Sequence, residues 1–217
     1  MASVINQKQA DRVAARRQAT IEEALDHAER IVAQRGAGAV TIAEIAREMG
    51  MQPPSVYKYF ASLHGVYDAL FARGYARLAS YVDDAVGDLD PGLERLLETT
   101  RAIVRWSMLN RGLAPLLFWR PIPGFEPDPQ SYALAQHLVE RSRADLATAV
   151  RLGELAPHAD TDEAFRLFTS ISAGLCSQQL SNQPDATYES GLFTSLTDQA
   201  LAMFVHHYAP NPRKARR

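Results

Sequence analysis

An all-α fold of about nine helices is predicted for this sequence on three observations. Apolar residues recur at i, i+3, i+4 spacing along almost the whole chain. No stretch alternates apolar and polar side chains with the β-branched and aromatic content of a strand, and no Asn-Gly dipeptide marks a hairpin. The densest proline segments stand between the periodic stretches, where helices have to stop.

The chain has 217 residues, of which 47% are hydrophobic and 22% charged, as expected of a soluble globular protein with a substantial core in one domain or two. No run of about 18 uncharged apolar residues appears, so no membrane partner is expected. The first twenty residues lack the apolar segment of a signal peptide. The single cysteine, Cys176, offers neither an internal disulfide nor a metal-ligand cluster. A cytoplasmic protein without a cofactor is the expectation.

The first apolar stripe is Ile21, Ala24, Leu25, Ala28, Ile31 and Val32, ended by Gly36 and Gly38. The second is Ile42, Ile45, Ala46 and Met49, with Thr41 as N-cap and Gly50 as C-cap. Pro53 and Pro54 fit only the first turn of a helix, so a third helix starts near Pro54 and runs to about Phe60. A long helix follows from near Leu63. Leu93, Leu96, Leu97, Thr100, Ile103, Val104 and Met108 mark another of about five turns. No helix can cross Pro121 to Pro129, which holds four prolines and a glycine. Two long patterns close the chain, roughly Asp160 to Ser181 and Thr187 to Tyr208, parted by a break containing Pro184. The expected division is a three-helix unit over residues 1–62 and a helical body over 63–217.

Thr41 to Phe60, TIAEIAREMGMQPPSVYKYF, has the proportions of a helix-turn-helix: a short helix, a tight turn at Gly50 and a second short helix. Val56 and Phe60, four apart, are expected to face the core with Ile45 and Met49. Ser55, Lys58 and Tyr59 fall on the opposite side, where they can reach base edges or phosphates, with Tyr57 at the flank. Pro54 opens the same helix. Thr41 and Gln52 stand at helix starts, whose free backbone N–H groups attract phosphate. An ordinary helical hairpin with polar residues outside satisfies the same spacing. The formal net charge of −2 is no signature of nucleic-acid binding. Locally, however, Lys8, Arg12, Arg16 and Arg17 face only Asp11, a net of +3 leading into the motif, and Arg213, Lys214, Arg216 and Arg217 make a basic tail. Either end is a solvated tail or a source of phosphate contacts.

From about Gln18 to Leu78 the chain resembles the DNA-binding region of the tetracycline-repressor (TetR) family of bacterial regulators. The residues that carry the resemblance are AERIVAQRG, VTIAEIAREMGM, SVYKYF and the start of a long fourth helix at VYDALF. The resemblance implies a sequence-specific regulator, by default a repressor, whose partners are double-stranded operator DNA and a small-molecule effector. The family usually opens its fourth helix with a lysine and an acidic residue, the lysine touching phosphate. Here Leu63 and His64 stand there, and His64 is either a substitute contact or a solvated histidine.

The same resemblance implies that the body forms a homodimer through the last two long helices, giving two recognition helices for a palindrome. One candidate stripe is Ala164, Phe165, Phe168, Ile171 and Leu175, and the other is Leu192, Leu196, Ala200, Met203 and Phe204. Either face can instead bury within one subunit. The candidate effector pocket takes its large residues from Trp106, Phe118, Trp119, Phe125 and Tyr132, with Arg105 and Gln136 as polar contacts. Phe168, Ser172 and Cys176 come from a later helix, and Cys176 reads as a small core residue, with a thiol sensor as the alternative. An enzyme is the rival from another class, but no HExxH, GxSxG or glycine-rich phosphate loop occurs and the histidines are scattered. A ligand-binding helical protein with a vestigial DNA-binding unit is the other alternative.

Overall fold

The computed structural model describes residues 2–210, so the basic tail Arg213, Lys214, Arg216 and Arg217 lies outside the described residues. Nine α-helices occur among the described residues: α1 Ala2–Arg35, α2 Ile42–Glu48, α3 Pro53–Val56, α4 Leu63–Val86, α5 Leu93–Leu109, α6 Leu113–Phe118, α7 Pro129–Arg151, α8 Asp162–Asn182 and α9 Thr197–His207. There is no strand among them, and the all-α expectation holds.

Three elements differ from the sequence expectation. First, α1 runs 34 residues, well beyond the stripe that begins at Ile21. Residues 7–19 are exposed, so no apolar face announced them; Ala10, Ala14, Ala15 and Ala19 and the absence of Gly and Pro let the helix continue. Second, α3 is regular only over Pro53–Val56 and continues to Phe60 as tighter turns, with Tyr59 N–H donating to Val56 at 2.9 Å. It also starts one residue early, because both prolines fit the turn that needs no N–H donors. Third, the segment Thr187 to Tyr208 is not one helix, for α9 begins only at Thr197. The Thr187 and Ser190 hydroxyls each accept from the other's backbone N–H, and the buried Gln179 side-chain oxygen takes the N–H groups of Phe193 and Thr194. Those donors are lost to a continuous helix.

One apolar core runs without interruption from α1, α2 and α3 through α4 into α6 and α7. A second joins α5, α7, α8 and α9. The short α6 is wedged between α1 and α4. A Cβ on Gly112 would stand 2.9 Å from the Ala33 Cα, and one on Gly74 would stand 2.7 Å from a Leu117 methyl. At Gly112 the neighbouring atoms are main chain, so glycine is required there for close approach rather than for a turn. Arg73 and Arg77 of α4 pair with Glu29 of α1, and Arg73 also meets Glu22 and Asp26, so an ionic seam ties the two long helices side by side. The Arg95 guanidinium grips the fully buried Asp145 carboxylate through both oxygens, joining α5 to α7. No helix of the described residues is long and apolar enough to cross a membrane.

Candidate functional site

The turn between α2 and α3 is built by its caps. Thr41 accepts from Glu44 N–H at 3.1 Å and starts α2. At the other end Gly50 lies at φ +65, Gly50 N–H donates to Arg47 and Met51 N–H to Ala46, a Schellman closure that reverses the chain within two residues. Ile45, Ala46, Val56 and Phe60 are buried and hold the two helices together. Arg35 and Arg47 both hydrogen-bond the Glu44 carboxylate, and these bonds hold its pKa at about 2, well below the usual carboxylate range.

The outward face of α3 is arranged differently from the spacing argument. Pro54 and Lys58 are exposed and Ser55 is half-buried, and the exposed aromatic is Tyr57, at 54%. Tyr59, expected outward, is half-buried and packs on the core, with the Arg17 guanidinium 5.8 Å from its ring centroid. The physical reason is the tightening after Val56, which advances each later residue further around the axis than an α-helix would. Arg17 also donates to the Lys58 carbonyl at 3.3 Å, anchoring the exposed half of α1 to the end of α3. Gln52 and Thr41 are exposed at the two helix starts. Leu63 packs against the core, His64 is exposed with its ring 6.0 Å from Phe125, and Ser62 caps α4 by accepting from Gly65 N–H.

The body contains two compartments that share Tyr75, Phe118, Ala135 and Val139. The outer one, about 470 Å³, is lined by Phe71, Phe125, Tyr132 and Gln136, with Arg120 and Glu140 as its charged members. The inner one, about 270 Å³, lies between α4, α5, α7 and α8 and takes in Trp119, Phe168, Ser172 and Cys176. Eight of the ten expected pocket residues therefore line one compartment or the other. Arg105 and Trp106 line neither, which corrects their assignment: Arg105 donates to Glu98 and stacks 5.0 Å from the Tyr188 ring, while Trp106 is a core residue. Tyr75, Thr100, Leu138, Ser142 and Phe165 were missed. Thr100 and Phe165 fall within apolar stripes, and periodicity cannot tell a packed face from one that borders a void. Burial pushes the Cys176 thiol up to about 11, so it is a neutral thiol at ordinary pH.

Residues 24–70 match the family model described as bacterial regulatory proteins, tetR family. The match covers the helix-turn-helix and the start of α4. It is 28% identical over 123 residues to the HTH-type transcriptional regulator Rv1816 of Mycobacterium tuberculosis, covering 55% of this chain and 53% of that protein. It is also 28% identical over 113 residues to the HTH-type transcriptional repressor BdcR of Escherichia coli, covering 52% of this chain and 57% of that one. The chain thus spans about half the length of the curated relatives it matches. The fold of the TetR family transcriptional regulator PfmR from Thermus thermophilus superposes with a TM-score of 0.63 at 16% identity, over 84% of this chain and 97% of that one.

The cavity and the helix-turn-helix are linked through α4. Phe125, which lines the outer compartment, packs with its ring centroid 5.7 Å from Tyr67 of α4. The Tyr67 hydroxyl donates to the Ala37 carbonyl at 2.9 Å, in the turn that leads into Thr41. Asp68, one residue on, accepts from Asp128 N–H at 2.7 Å and from the Ser131 hydroxyl at 2.8 Å. The proline-rich segment 121–129 is therefore bolted to the first turns of α4 rather than hanging free over the cavity.

Proposed function

We propose that this protein is a sequence-specific transcriptional repressor that binds a palindromic operator as a homodimer and leaves it when a small molecule fills the body. The observation that carries the reading is the turn-anchored α3. Its buried side holds Val56 and Phe60, while Tyr57, Lys58 and Pro54 are left to solvent with Ser55 beside them. Lys58 and Ser55 supply donors for phosphates or base edges, and Tyr57 presents a phenol. Thr41 and Gln52, at the starts of α2 and α3, and His64, in the first turn of α4, are exposed as well. The name printed for BdcR, a repressor, supports the sign of the regulation.

Dimerisation is supported by apolar side chains without partners in the monomer. Leu192 and Met203 are 65% and 68% exposed, and Leu196 and Leu167 are exposed beside them around α8 and α9. A second copy laid two-fold against these helices covers them and makes a four-helix interface. Ala164, Phe165 and Phe168 turn inward instead, so the α8 stripe serves the monomer's own core.

Release follows from the shared wall. A ligand in either compartment presses on the wall they share, Tyr75 and Phe118, beside Phe125, and Phe125 rests on Tyr67, which holds the turn before α2. Movement of α4 then changes the separation of the two α3 helices, which must fit successive major grooves about 34 Å apart. A mobility-shift titration of the full-length dimer on DNA flanking its own gene tests the reading. Retardation that weakens steeply with salt is expected; absence of any retardation at low salt, with or without candidate small molecules, refutes it.

A further inference from the structure

The inner compartment is mainly apolar, and its polar lining is made of hydroxyl groups, with the Trp119 indole and the Cys176 thiol beside them. Five hydroxyl-bearing side chains border it: Tyr75, Thr100, Ser142, Thr169 and Ser172. Each donates its hydrogen to a backbone carbonyl. Tyr75 donates to Leu117 at 3.3 Å, Thr100 to Leu96 at 3.0 Å, Ser142 to Leu138 at 3.0 Å, Thr169 to Phe165 at 3.1 Å, and Ser172 to Thr169 at 3.0 Å. With their protons committed, these oxygens offer the chamber lone pairs and nothing else. The lining holds no Lys, Arg, His, Asp or Glu; its one strong N–H side chain is the Trp119 indole. Charged groups appear only in the outer compartment, at Arg120 and Glu140.

We infer that the inner chamber selects a small neutral molecule bearing a hydroxyl group, an alcohol or phenol, over a carboxylate of the same shape. An O–H brought into the chamber meets acceptors on α4, α5, α7 and α8. A carboxylate brings only acceptors to acceptors and has no cation to neutralise it, so it enters unpaired. Phe118, Phe165, Phe168 and Leu138 supply the apolar contact for the remainder. The Cys176 thiol, held neutral by burial, adds no charge that would change this balance.

The inference rests on the body being an effector site, and the test separates the two. Binding of 4-propylphenol, 4-propylanisole and 4-propylbenzoate to the full-length protein is measured at pH 7 by calorimetry, with release of bound DNA as a second readout. The phenol is expected to bind about tenfold tighter than the anisole, which lacks the donor, and about a hundredfold tighter than the benzoate. In the Ser142→Ala, Ser172→Ala double variant the advantage of phenol over anisole shrinks, while unfolding temperature and DNA affinity stay unchanged. Benzoate binding as tight as phenol overturns the inference yet leaves an effector site standing. So does an undiminished phenol advantage in the double variant, which would place the donor contact elsewhere. Failure of all three probes to bind overturns it as well, and the effector reading then survives only if some other small molecule releases DNA.

Discussion

In the helix-turn-helix unit, Ile45, Ala46, Val56 and Phe60 are buried on either side of a four-residue connection. In the body, side chains as large as Tyr75, Phe118, Phe165 and Phe168 border two compartments of about 470 and 270 Å³. Both regions are written in the same apolar periodicity. The difference is what the apolar faces meet: in the first they meet each other, and in the second they also surround space. The helix-turn-helix closes its core, whereas the body leaves part of its core open at a cost in packing.

Substitutions can break that comparison. The largest effect is expected from Ile45→Ala, which opens a void in the closed unit and is expected to cost about 2–5 kcal/mol in a denaturant titration. A loss below about 1 kcal/mol would show that this core is no tighter than the body. Next comes Gly112→Ala, whose methyl is driven into the Ala33 backbone. A cost of about 1–3 kcal/mol is expected, with a fall in unfolding temperature, because the neighbouring atoms are main chain and cannot swing away. On the outer surface of the same unit, Lys58→Ala is expected to leave stability unchanged and to weaken DNA binding by about 1–3 kcal/mol, with a shallower salt dependence. Ala135→Val, on the wall both compartments share, is the matching change in the body. It fills open volume, so its effect on stability is expected to be small, within about 1 kcal/mol, while ligand binding falls.

The smallest effect is electrostatic. Hydrogen bonds from Arg47 and Arg35 lower the Glu44 pKa from 4.5 to about 2 in the folded state. The stabilisation is therefore present above the unfolded value and lost as pH falls through the window from 4.5 to 2. Replacing Glu44 with Gln is expected to flatten the pH dependence of unfolding in that window and to leave it unaltered near neutrality, as acid titrations followed by circular dichroism would register.

Legibility from sequence follows the same division. The helix-turn-helix was readable nearly to the residue, because Thr41, Gly50 and the Pro53–Pro54 pair are local signals whose meaning does not depend on the rest of the fold. What failed there was the α3 phase: an α-helical wheel put Tyr59 outside, and the tighter turns after Val56 bring it inward and leave Tyr57 exposed. In the body the aromatic cluster falls beside the cavities, with Phe118, Trp119, Phe125, Tyr132 and Gln136 all on their walls. The opposite walls from Tyr75, Thr100 and Phe165 were not readable, since a void is a relation between helices and no single helix records it. The break of the last segment at Thr197 was hidden for a similar reason. Gln179, on another helix, supplies the oxygen that captures the Phe193 and Thr194 N–H groups.

The central claim is that α3 of a two-fold dimer reads DNA sequence, and selection from a random DNA pool tests it most directly. The full-length protein is expected to enrich a two-fold symmetric site whose half-sites lie about one helical turn, roughly 34 Å, apart. Enrichment should disappear with Lys58→Ala combined with Tyr57→Ala. Recovery of no common sequence after repeated rounds at low salt would contradict the account.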